Sequence, residues 1–145
     1  MILDTTYSNK EHNELINDLV GRPYSLLQSF KMKGIGSKRM IIEDASPNFQ
    51  PYLNIVSDVN YANLEMRPKG LLVRINKGLQ NFTWVIPFYH LVIYKTNGSS
   101  IHAQGKYIHF KNNITFKENK AFFDKLLNSK VKFDEQYNFV DALWI

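Results

Sequence analysis

Between Met40 and Phe110 apolar residues return at every second position, in short runs parted by turn residues, which restricts the chain to a fold built on antiparallel strands. The clearest stretch is NYANLEMRPKGLLVRIN, where Leu64 and Met66 alternate with Glu65 and Arg67. Pro68-Lys69-Gly70 supplies a turn, Leu71, Val73 and Ile75 then alternate with Leu72 and Arg74, and Asn76-Lys77-Gly78 supplies the next turn. Phe82 to Ile86 is a predicted strand broken at Pro87, since proline cannot donate to a ladder, and Leu91 to Tyr94 is another, stopped by Asn97-Gly98. Upstream, Met40-Ile41-Ile42 and Tyr52 to Val56 are strand candidates on either side of a turn at Ala45-Ser46-Pro47-Asn48. With Gln104-Gly105 as a two-residue turn, Ala103 opposes Lys106 and Ile101 opposes Ile108. Ile101, Ala103, Ile108 and Phe110 then share one face, and His102, Tyr107 and His109 the other.

The period changes at both ends. Ser8 with Glu11 has capping-box spacing, and Leu15, Ile16, Leu19 and Val20 follow as a helical stripe stopped by Gly21 and Pro23. Leu26, Leu27 and Phe30 fit a short second helix within residues 24–33, and Gly34 to Arg39 reads as a linker. Thr115 with Glu118 repeats the capping spacing ahead of the stripe Phe122, Phe123, Leu126 and Leu127, with Asn128 as a stop. The expected class is α+β: a bent antiparallel sheet or partly open barrel, a C-terminal capping helix, and an N-terminal helical segment over residues 1–36 packed on the β-rich part, residues 37–145.

The 145 residues suffice for one domain with a real core. With 44% hydrophobic and 14% aromatic residues, the chain has enough apolar surface to offset its ordering entropy. No apolar run is long enough to span a bilayer, and the N-terminus lacks the basic and apolar regions of a signal peptide. The absence of cysteine removes disulfides, thiolate nucleophiles and cysteine-based zinc sites, and suits a reducing cytoplasm. The excess of Lys over Arg and the abundance of Asn and Ile point to an A/T-rich, bacterial genome. Net charge is +5, with residues 67–120 contributing +8 and residues 40–66 contributing −4.

Strands followed by one amphipathic helix, with Trp84, Ile86, Pro87, Phe88 or Tyr89 and then Leu91 and Ile93, resemble bacterial pleckstrin-homology-like and GRAM-like domains between Leu64 and Leu127. The resemblance implies a non-enzymatic binding module with a PH-like barrel plugged by its last helix. A cone-shaped fold similar to nuclear transport factor 2, binding a small ligand or acting as an enzyme, is the alternative architecture. PH domains that bind phosphoinositides use basic residues beside a hairpin loop, which makes Arg67, Lys69, Arg74 and Lys77 the candidate anion or lipid contacts. The basic-x-basic ending of that motif is missing.

Other constellations are thinner. His102 and His109 lie diagonally across the last hairpin, but a metal needs a third ligand, and His90 is the one candidate. Gly34-Ile35-Gly36-Ser37-Lys38 lacks phosphate-loop spacing, and no nucleophile elbow is present. Glu43 and Asp44, adjacent on a strand, would face opposite sides, and Asp134 and Glu135 have no evident partner. Tyr94, Tyr107, Phe88 and Tyr89 interleave with Lys95, Lys106 and Lys111 as a nucleic-acid platform would, yet alternate into a core equally well. No catalytic residue, metal or cofactor is assigned. The expected activity is protein binding, at an exposed edge strand or at the apolar terminus Leu143, Trp144 and Ile145, with a homodimer as one form of it. An acidic membrane surface is the weaker alternative, and nucleic acid is not expected.

Overall fold

The computed structural model describes residues 1–54 and 59–143, with residues 137–143 described by backbone alone. Among the described residues it is an α+β structure with eight strands in one antiparallel sheet that is not closed into a barrel: β1 (Ile2–Asp4), β2 (Met40–Ala45), β3 (Tyr61–Arg67), β4 (Gly70–Lys77), β5 (Gln80–Pro87), β6 (Val92–Tyr94), β7 (Ser99–Ala103) and β8 (Lys106–Phe110). The spatial order is β1-β5-β4-β3-β2-β8-β7-β6. The helices are α1 (Lys10–Val20), α2 (Leu26–Lys31), α3 (Ile114–Lys117) and α4 (Lys120–Leu143).

Two tight turns set most of the register. Arg67 pairs with Gly70, so Pro68-Lys69 connects β3 to β4, and Leu64 faces Val73. Ala103 pairs with Lys106 and Ile101 with Ile108, as expected. Gln104 (φ 54°) and Gly105 (φ 77°) both take the left-handed conformation of a type I′ hairpin. The β4–β5 turn falls at Gly78-Leu79, later than the expected Asn76-Lys77-Gly78, because Lys77 pairs with Gln80.

β2 belongs to both halves of the sheet. Its start pairs with β3 (Ile41 with Tyr61) and the rest with β8 (Ile42 with Phe110, Asp44 with His109), with a register shift at Glu43. Such a bulge bends and twists a strand, so the two halves curl around one core. That core contains Met40, Leu64, Met66, Val73, Ile75, Trp84, Ile86, Ile101, Ile108 and Phe110, with Phe122, Phe123 and Leu126 entering from α4. The curl brings the start of β1 near the β7–β8 turn: the Met1 amino group donates to Gln104 Oε1 at 2.8 Å.

A second, smaller core lies on the opposite face. Ile16 and Val20 of α1 pack on Leu72 and Val85 of β4 and β5. Gly70 permits this contact, since a Cβ there would meet Val20 and the Ile86 carbonyl.

Several expectations are corrected. β1 was not foreseen; it pairs Ile2 with Trp84 and makes the N-terminal segment part of the sheet. The α1 cap is Asn9, whose Oδ1 accepts from the His12 N–H at 3.1 Å, in place of Ser8. The one helix expected from a Thr115 cap is two: the short α3, capped by Asn113, which accepts from the Thr115 and Phe116 N–H groups, and α4, which starts at Lys120 and carries Phe122, Phe123 and Leu126. Where a strand was expected from Tyr52, a 3₁₀ turn runs over Pro47–Tyr52; Val56 lies outside the described residues. The linker is pinned to β3, with Met66 N–H donating to Ile35 O and Ser37 N–H to Leu64 O. Asn128 does not stop the last helix, which continues to Leu143.

Candidate functional site

The outer face of the β6–β7–β8 half is the most distinctive exposed surface. Alternation turns Ile101, Ala103, Ile108 and Phe110 inward, and therefore turns His102, Tyr107 and His109 outward. Antiparallel pairing sets His102 beside Tyr107 and opposite Val92 of the edge strand β6. The rings form a ladder: Tyr94 meets His102 edge-on at 4.7 Å, and His102 stacks on Tyr107 at 5.3 Å. His102 Nε2 also bonds to Ser100 Oγ at 3.0 Å. Burial and then the neighbouring His109 hold the His102 imidazole below its usual pKa, which favours the neutral ring.

Two shallow hollows flank this ladder and share His102 and Tyr107. One, of about 440 Å³, reaches His90, Val92 and Lys106; the other, of about 250 Å³, reaches Asp44, Thr96 and His109. The bulge at Glu43 changes the expectation for the acidic pair. Glu43 and Asp44 both serve the outer face: Glu43 Oε2 lies 3.4 Å from His109 Nδ1, and Asp44 Oδ2 accepts from the Tyr107 hydroxyl at 3.1 Å. That bond raises the Tyr107 phenol above its ordinary pKa. His109 Nε2 lies 2.9 Å from Asn97 O, so its ring is held on both sides.

Of the basic residues expected as anion contacts, Arg67 and Arg74 meet on the Glu65 carboxylate, while Lys69 and Lys77 lie at opposite ends of β4. Arg67 is 6% exposed. Its Nε donates to Glu65 Oε2 at 2.6 Å, and NH1 donates to Asn17 Oδ1 and to the Gly21 carbonyl at 3.1 and 3.0 Å. It ties the end of α1 to the sheet, and its expected place on an open polar surface is corrected accordingly. Arg74 NH2 meets the other Glu65 oxygen at 3.2 Å. Burial pushes the Glu65 carboxyl up, but the Arg67 hydrogen bond and the two guanidinium charges outweigh it and hold the pKa below its usual value. Lys77 Nζ donates to Pro51 O at 2.9 Å, while Lys69 is exposed in the turn at the other end of β4.

Among the described residues no group of three or more His, Asp or Glu side chains could hold a metal ion. The aromatic set weighed for nucleic acid is dispersed: Phe88 is buried, Tyr89 is exposed beside His90, and Tyr94 and Tyr107 belong to the ladder. Asp134 pairs with Lys130 one helical turn earlier, at 3.0 Å. Leu143 ends α4, and Trp144 and Ile145 lie outside the described residues. Among those residues no helix is long and apolar enough to cross a membrane.

No protein-family model, curated protein or solved structure matches the chain.

Proposed function

We propose that the protein is a non-enzymatic interaction module of PH-like type that receives an extended segment of a protein partner along β6 and the adjoining outer face. The observation that carries this reading is the open β6 edge, from which Val92 and Tyr94 project exposed beside the Tyr94–His102–Tyr107 ladder. Main-chain pairing at such an edge supplies affinity, and hollows beside alternate side chains supply selectivity. A filled interior favours this over a ligand-binding cone: Trp84, Phe49 and Phe110 are fully buried, and Phe49 meets Trp84 edge-on at 4.9 Å. The PH-like part rests on element order, strands followed by a helix that sends Phe122, Phe123 and Leu126 into the core.

A displayed library of short random peptides, selected on the immobilised full chain, tests the proposal. Enriched peptides should shift amide resonances of β6 and β7 and should lose binding to the Val92→Glu and Tyr94→Lys variants, whose melting stays unchanged. Peptides that bind both variants as tightly as the parent would overturn it.

A further inference from the structure

α2 is an inverted amphipathic helix. Leu26, Leu27 and Phe30 fall within a 100° arc at helical spacing, a face that in most short helices packs inward. Here they are 92%, 67% and 83% exposed. The opposite side is the one engaged: Tyr24, Gln28 and Met32 line a hollow against Ser129, Lys132 and Phe133 of α4. The presentation is held firmly. Ser25 Oγ accepts from the Gln28 N–H at 3.2 Å, and Lys125 Nζ donates to the carbonyls of Met32, Lys33 and Gly34 at 3.3, 3.2 and 2.9 Å.

The charge carried by the segment itself has one sign. Between Asp18 and Glu43 there is no acidic residue, and Arg22, Lys31, Lys33, Lys38 and Arg39 are all exposed. Among the described residues none of the five makes an ion pair, since the ion pairs found use Arg67, Arg74, His109 and Lys130. Lys69 adds to the same region, as its N–H bonds to Val20 O and Pro68 packs on Gly21.

We propose that α2 docks the protein on an anionic phospholipid bilayer, with Leu26, Leu27 and Phe30 entering the interface and Arg22, Lys31 and Lys33 meeting the lipid phosphates and carboxylates. Exposed apolar side chains on a segment that carries basic and no acidic residues match the two attractions such an interface offers: burial among the acyl chains and a negative surface potential. This uses a different surface from the β6 edge.

Co-sedimentation of the full chain with phosphatidylcholine vesicles, with and without about a quarter phosphatidylserine, tests it. Binding should require phosphatidylserine and fall as salt rises. Leu26→Ser with Phe30→Ser should weaken binding by roughly tenfold or more at unchanged melting temperature. Lys31→Glu with Lys33→Glu should remove the lipid preference, and Val92→Glu should bind as the parent does. The proposal is overturned by no sedimentation with the anionic vesicles. It is also overturned by binding that survives Leu26→Ser with Phe30→Ser, or by light scattering that shows a dimer through this face in place of vesicle binding.

Discussion

Arg67→Ala isolates what the buried guanidinium does. The substitution deletes a charge-assisted bond to Glu65 and two bonds that hold the last turn of α1, at Asn17 and Gly21. A hydrogen bond to a charged group contributes about 1.5–3 kcal/mol. Breaking a buried pair costs about 3–5 kcal/mol when the surviving charge is left uncompensated. Glu65 is not left in that state, because Arg74 remains 3.2 Å from its other oxygen and its side chain is 23% exposed. The expected loss is therefore near the lower limit, about 3 kcal/mol, or about 10 °C in Tm for a chain of this size. Urea unfolding followed by tryptophan fluorescence measures it, and Lys69→Ala, in an exposed turn, should stay within about 0.5 kcal/mol of the parent. An Arg67→Ala protein as stable as Lys69→Ala would refute the assignment of Arg67 as a structural tie.

Glu65 carries a pH signature. Its pKa is depressed on folding, so its contribution is full above the unfolded value, about 4.3, and is lost as pH falls through the lower folded value. Glu65→Gln should flatten the acid side of a Tm–pH profile, and an unchanged slope would count against the network. Gly70→Ala should cost about 1–3 kcal/mol, read by thermal melting, because the new methyl meets Val20 and the Ile86 carbonyl. Asn119→Ala should cost about 2 kcal/mol, since Asn119 is buried and bonds to both the N–H and the carbonyl of Lys38. Lys125→Met should speed amide hydrogen exchange across residues 29–34 with little change in global stability.

Local pairing was legible, and distant pairing was not. Gln104-Gly105 joins two strands through two residues as expected, so the turn itself sets the register, whereas the turn expected at Pro68-Lys69-Gly70 is Pro68-Lys69 alone, with Gly70 already paired in β4. β1 spans three residues and finds its partner some eighty positions later, which no local pattern encodes. The Tyr52 expectation failed because Pro47 and Pro51 favour a 3₁₀ turn that apolar content alone does not reveal. Arg67 teaches a different lesson. Alternation placed it opposite Met66 correctly, but alternation cannot say whether a helix covers that outer face. Leu72 and Val85, apolar residues on the face that looked polar, were the signal that one does. The ladder residues His102 and Tyr107 were readable as one face, whereas Asp44 and Glu43 joined it through a bulge that adjacency in sequence conceals. The outward turn of Leu26, Leu27 and Phe30 contradicts the usual meaning of a helical stripe, so the sequence pattern located α2 but pointed it inward.

The shared strand β2 has a consequence for how the chain reaches this structure during synthesis. β3, β4 and β5 are consecutive hairpins and can assemble as soon as they emerge. β2 can join them through Met40 and Ile41, but Ile42 to Ala45 await β8, more than sixty residues downstream. Until then one flank of β2 is an unsatisfied row of amides and carbonyls beside the apolar Ile42. At ordinary elongation rates that interval lasts several seconds, the period in which a nascent chain of this topology is most open to pairing with another copy. Glu43 and Asp44 place two negative charges in that stretch, and such charges disfavour pairing between copies.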